Sequence, residues 1–184
     1  MRRIFKAIIA ATVLVTSCCG PEDGEYTFRL LTTNDVHGRY FDSLYVTDRT
    51  SNALTNVAWY ADSIRVADGA ENVVLIDAGD CLQGDNAAYY YNYVDTTAKH
   101  LFARMVEYAG YDAVVVGNHD IETGHHVYDR LVKTMNVPFL AANAIRTDNG
   151  KPYFQEYVTL ERHGLNITII GFTNPNIKSW LSPL

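Results

Sequence analysis

Along this chain the spacing of apolar residues switches between two periods. Short strand-like apolar runs at Tyr26 to Leu31, Val73 to Ile76, Ala113 to Val116 and Phe139 to Ala142 read as strands. Between them, Leu54, Val57, Ala58, Ala61 and Ile64 recur at helical spacing, with Ser51 or Asn52 placed to cap the helix. Ala98, Leu101, Phe102, Met105 and Ala109 predict a second helix that Gly110 stops. A third helix is expected from Val127 to Met135, and a late hairpin pairs the stretch near Tyr157 with Ile167 to Ile170. Strands alternating with helices are the signature of an α/β domain.

The first residues follow a different pattern. Arg2, Arg3 and Lys6 precede an uncharged apolar stretch from Ala7 to Val15, the form of an export signal. That stretch is too short to span a bilayer. It ends in Val15-Thr16-Ser17-Cys18, which resembles the bacterial lipobox, where cleavage leaves an acylated cysteine at the new N-terminus. Residues 1–17 are therefore read as a lipoprotein signal peptide, Cys18 as the lipidation site, 18–25 as a linker and 26–184 as the catalytic-type domain. This places the product in the bacterial cell envelope, held to a membrane by lipid, with an ordinary cleaved signal as the plainer alternative.

Cys81 is the one cysteine in the body of the chain, so neither a disulfide framework nor a thiolate zinc site can be assembled there. The net charge of −6 argues against a nucleic-acid polymer as partner, because that function needs a basic face. A phosphate substrate would have to meet its positive charge in bound metal.

Three polar clusters each follow an apolar strand directly: Asn34-Asp35-Val36-His37-Gly38, Asp77-Ala78-Gly79-Asp80 and Gly117-Asn118-His119-Asp120. In open α/β sheets the carboxyl ends of the strands converge on one crevice, which would bring Asp35, His37, Asp80, Asn118 and His119 together. Oxygen and imidazole donors without thiolate suit Mn, Fe, Zn or Mg. Taken singly, each cluster has an ordinary structural reading as a turn; it is their joint occurrence in order that points to a metal site.

These clusters, together with Gly79-Asp80-Cys81-Leu82-Gln83-Gly84-Asp85, resemble the first three motifs of the calcineurin-like metallophosphoesterases. Leu31-Thr32-Thr33-Asn34-Asp35, Pro138-Phe139-Leu140-Ala141-Ala142-Asn143 and Ile169-Ile170-Gly171-Phe172-Thr173 are similar to the 5′-nucleotidase branch. The resemblance implies a four-layer αββα sandwich and hydrolysis of phosphate esters, with a nucleotide or another phosphomonoester as substrate. It implies two divalent ions that share an attacking hydroxide, with Asp35 and His37 on the first, Asp80 bridging and Asn118 on the second. His119 would act on the substrate without binding metal. Glu122 stands where the 5′-nucleotidase pattern has an aspartate that orients this histidine. Arg39 is close enough to the first motif to contact phosphate, or else forms an exposed salt bridge.

The family completes its metals with a downstream histidine and a Gly-His-x-His motif, which does not occur before Leu184. Gly124-His125-His126 is read as helix-start polarity, His163 as a turn residue and His100 as part of the second helix. The expectation is a fold incomplete at its C-terminus with a half-built site, which a separate chain completes, or a noncatalytic truncated surface lipoprotein. Asp85 is read as a turn residue, Cys81 as a buried inert thiol, and Tyr89, Tyr90, Tyr91 and Tyr93 as a packed or partner-facing loop.

Overall fold

A parallel sheet carries the molecule, and the burial of its strands follows their place in it. In the computed structural model, residues 20–21, 23–44, 49–50 and 52–179 are described; the expected signal peptide, the expected lipidation site Cys18 and the cap candidate Ser51 lie outside them. Strand β1 (Arg29–Thr33) is followed by a two-stranded ribbon, β2 (Ser43–Leu44) with β3 (Arg49–Thr50), and by helix α1 (Leu54–Asp68). Next come β4 (Val73–Asp77), the short helix α2 (Asn86–Tyr89) running into a wider turn over Tyr90–Val94, and α3 (Leu101–Ala109). Then follow β5 (Ala113–Val115), α4 (Asn118–Glu122), α5 (His125–Thr134), β6 (Phe139–Leu140) and the antiparallel hairpin β7 (Tyr157–Arg162) with β8 (Leu165–Ile170). The sheet order is β1-β4-β5-β6, all parallel.

Central β4 is apolar on both faces, as a parallel strand covered on each side must be, whereas edge strand β1 leaves Leu30 largely exposed. Pairing with β4 shifts β1 from the expected Tyr26–Leu31 to Arg29–Thr33, in register from Arg29 with Val73 to Thr33 with Asp77. Both strands thereby end beside the polar clusters. The hairpin expected near Tyr157 is present, its alternating half-buried residues showing period two. Among the described residues, the sandwich is represented by the parallel sheet, its helices and this hairpin.

Helix starts depart from the sequence reading for local reasons. Ala53 caps α1, its amide bound to the side chain of Asn56 at 2.9 Å, so Asn52 does not serve as the cap. The second helix begins at Leu101 rather than Ala98, because the Asp95 carboxylate accepts from the Thr97 and Ala98 amides and holds that stretch in a turn. His100 is consequently the N-cap of α3, not a residue within it. Its Nδ1 accepts from the Phe102 amide and its Nε2 meets Asn92 Oδ1 at 2.9 Å. Burial lowers its pKa to about 3, which keeps the ring neutral. Gly110 ends α3 in the left-handed region as expected, and Arg65 of α1 donates to the Ala109 and Gly110 carbonyls at 2.8 and 2.7 Å. Helix α5 starts two residues before the expected Val127, at His125.

The core lies where α1 and α3 pack on each other and on the sheet, around Phe102, Val106, Leu75, Val114 and Tyr40. Asp77 is fully buried and accepts from Thr33 Oγ1, the Gly79 amide at 2.8 Å and Cys81 Sγ at 3.1 Å. Tyr111 Oη, 2.9 Å from Thr33 Oγ1, continues the network. Burial raises the Asp77 carboxyl to about 6, against the downward pull of these donors.

Two outcomes follow for stability. Phe102→Ala should cost about 3–5 kcal/mol in urea unfolding, as a cavity left by a wholly buried ring. Asp77 binds its proton more tightly when folded, with a pKa of about 6 against 3.8 for the free group. Its contribution therefore falls as pH rises between those values, and above them the buried carboxylate costs on the order of 3 kcal/mol. Asp77→Asn should flatten that dependence and leave stability at pH 7.5 equal to or above that of wild type, read from urea curves at pH 4 to 8.

Candidate metal centre

The three polar turns leave the sheet at the same end because β1, β4 and β5 are adjacent and parallel. The first two turns run side by side. The amides of Asp35, His37 and Gly38 donate to the carbonyls of Gly79, Asp80 and Cys81 at 2.9–3.0 Å. This pairing holds Asp35, His37 and Asp80 in the left-handed region, at φ of 52, 47 and 63°. Asp and His enter that region more readily than most side chains, though still at a cost. The second and third turns touch through their backbones. A Cβ on Gly79 would lie 2.6 Å from the Gly117 nitrogen, and one on Gly117 would lie 2.1 Å from Asp80 Oδ1. Glycine is required at both positions by this approach.

The turns bring donor atoms of His37, Asp80 and His119 within 4.8 Å of one another. Asp35 lies beside them, its Oδ1 3.7 Å from His37 Nε2. The His37 and His119 rings are 5.3 Å apart. Asn118 opens α4 between Gly117 and His119, and the His119 amide donates to Asp80 Oδ1 at 2.8 Å. His119 Nδ1 meets Glu122 Oε2 at 2.8 Å, and Gln83 Nε2 donates to the same oxygen at 3.1 Å. A carboxylate can only accept, so Nδ1 carries the proton and Nε2 is the nitrogen left for other chemistry. The bond to Glu122 raises the His119 pKa, burial opposing it.

One residue of the third cluster to which the sequence reading gave no role proves central to its geometry. Asp120 is fully buried, and its two oxygens accept four backbone amides. Oδ1 takes those of Cys81 and Leu82 at 2.9 Å, and Oδ2 takes those of Asp80 at 3.0 Å and Gly117 at 2.8 Å. Burial raises this carboxyl above its ordinary range, with the amides opposing the shift. With both oxygens facing donors, the ionised form is the one that fits. Its place directly after Gly117-Asn118-His119 was the available signal.

The remaining candidates stand outside the His37–Asp80–His119 cluster. Arg39 Nε is 3.5 Å from Asp85 Oδ2, the salt-bridge arrangement, and lines with Asp35, His37 and Tyr60 a cleft of 760 Å³. Asp85 caps α2 through the Ala87 amide. Cys81 is a buried thiol whose pKa burial drives well upward. His125 opens α5 and meets Tyr153 Oη at 2.9 Å, while His163 sits in the β7–β8 turn against Asn72 Oδ1 at 2.7 Å. Neither joins the cluster. Tyr89 and Tyr93 are exposed, their rings 5.1 Å apart, and Tyr93 stands 5.4 Å from His126.

The calcineurin-like phosphoesterase pattern matches residues 28–183. Over 176 residues the chain is 30% identical to Protein UshA of Salmonella pullorum, taking in 94% of this chain and 30% of that one. It is 29% identical over 192 residues to a 5′-nucleotidase of Vibrio vulnificus, with 99% of this chain and 33% of that one covered. The crystal structure of calcineurin-like phosphoesterase YfkN from Bacillus subtilis superposes with a TM-score of 0.69 at 26% identity, covering 82% of this chain and 49% of that one. The chain thus spans about a third of the length of the curated relatives it matches. With the matched pattern extending from β1 past β8 and including all three polar turns, the chain belongs to the calcineurin-like phosphoesterase family.

Proposed function

We propose that this protein hydrolyses phosphate esters, with nucleotides as the substrate class, at a site where Asp35, His37, Asp80 and Asn118 hold two divalent ions and His119 acts on the substrate. The observation that carries the reading is the convergence of His37, Asp80 and His119, with Glu122 behind His119. The donor set fits such ions, being carboxylate and imidazole on adjacent turns with no thiolate among them. When bound, the ions supply the positive charge that a protein of net charge −6 needs in order to draw in a phosphate and favour attack by water.

The chain's own residues do the rest. Asp80, fixed by the His119 amide, presents its carboxylate between the first and third turns. His119 Nε2 is the proton donor to the leaving oxygen, because Glu122 keeps the other nitrogen protonated and favours the charged ring. Gln83 steadies the Glu122 carboxylate. Nucleotides are the preferred class because the Vibrio vulnificus relative is a 5′-nucleotidase. The export signal and Cys18 place the protein in the cell envelope, anchored through lipid; no helix among the described residues is long and apolar enough to cross a membrane.

Elemental analysis with hydrolysis of AMP and of an aryl phosphate in Mn²⁺ tests this reading. Asp80→Asn should retain less metal and lose activity by about 10²-fold or more; equal metal and equal rates would place the chemistry elsewhere. Glu122→Gln should lower kcat about tenfold or more with metal content unchanged. A raised His119 pKa keeps the ring charged up to higher pH, so removing the Glu122 charge should move the alkaline limb of the kcat profile to lower pH. An unmoved limb would remove His119 from the role of acid.

A further inference from the structure

We propose that Asp120 is a positioning residue that sets the Asp80–His119 geometry before any ion binds, so that the metal site is a preformed cradle. The inference rests on the metal-site reading above and concerns what builds that site. Backbone amides at the end of a parallel strand have left the ladder and need another acceptor when buried. The amides of Asp80, Cys81, Leu82 and Gly117 all find theirs in one carboxylate, at 2.8–3.0 Å. Three of these amides belong to the turn after β4, and Gly117 belongs to the turn after β5. Asp120 therefore ties together the two turns that carry the cluster.

A return link closes the arrangement. Asp80 Oδ1 accepts from the amide of His119, the residue next to Asp120. From the Asp120 carboxylate the ring runs through the Asp80 backbone to its side chain and back along the chain to Asp120. Every bond in it is made by protein groups alone. The left-handed Asp80 and the tight Gly79–Gly117 approach are conformations that persist only where their surroundings over-determine them. The four amide bonds provide that constraint. Thr123 Oγ1, donating to the Asp120 carbonyl at 2.6 Å, fixes the segment from its other end. A site ordered in advance spends none of an ion's binding free energy on arranging the loop.

Amide hydrogen exchange of the wild-type chain, in EDTA and with Zn²⁺, reads the clasp without a substitution. The amides of Asp80, Cys81, Leu82 and Gly117 should exchange at least about 10²-fold more slowly than unprotected amides in both conditions. Free exchange in EDTA, with protection arising only on addition of Zn²⁺, would show that the ion orders the loop and would overturn the proposal. Calorimetric titration with Zn²⁺ separates positioning from plain stability. Asp120→Asn should weaken binding about 10- to 100-fold. Asp112→Asn, which breaks bonds to the Leu75 amide and Arg162 at the opposite end of β5, should leave it unchanged. Equal affinities in all three proteins would reduce Asp120 to an ordinary buried carboxylate. If Asp120→Asn does not fold, the exchange measurement alone decides. A wild-type chain that binds no Zn²⁺ would sink the metal-site reading, while exchange would still report whether Asp120 orders the turn.

Discussion

The backbone contact between the turns after β4 and β5 is the constraint on which the rest of this structure depends. Two parallel neighbouring strands end at the same level, and their turns can meet only if neither carries a Cβ at the point of approach. Gly79 and Gly117 meet that condition, since a side chain on either would overlap the other turn or the Asp80 carboxylate. Once in contact, the turns bring several polar side chains close together. The fold then has to settle which of these point inward as structure and which remain for chemistry.

That division is electrostatic. Asp120 is surrounded by four amides, so its charge is satisfied by backbone dipoles. Asp77 sits deeper, where burial favours its protonated form, and its donors are a hydroxyl, an amide and a thiol. Glu122 is matched to His119 and Gln83, and Asp85 to the Ala87 amide and Arg39. These pairings leave Asp35 and Asp80, beside two imidazoles, as the carboxylates turned toward the cluster. Most of the acidic charge around the cluster is thus met by protein groups.

The same logic explains the histidines that stay apart. His100 is neutral and engaged at both ring nitrogens between Asn92 and the start of α3, an environment made by burial. His125 and His163 bind tyrosine and asparagine side chains near the surface. Each occupies a position where one hydrogen bond shapes a turn or a helix end. The tyrosine segment divides similarly, with Tyr91 partly packed against the core while Tyr89 and Tyr93 face solvent.

Much of this was legible in the residues. Apolar periodicity located the parallel strands and the helices, because strand and helix bury different repeats. Motif order brought Asp35, His37, Asp80, Asn118 and His119 to one end of the sheet, because parallel strands send their turns the same way. Glu122 was legible as the partner of His119 only through the family resemblance, which has an orienting aspartate at that place; the short helix α4 sets the two side chains together. Exact element ends were not legible: Asp95 delayed α3 through its own side chain, and pairing with β4 moved β1 toward the first cluster. The role of Asp120 lay beyond the sequence for a related reason. An aspartate after a histidine reads equally as ligand, cap or solvent-facing charge. Only the meeting of two turns distant in sequence, some forty residues apart, surrounds its carboxylate with four amides and makes it the residue that holds them together.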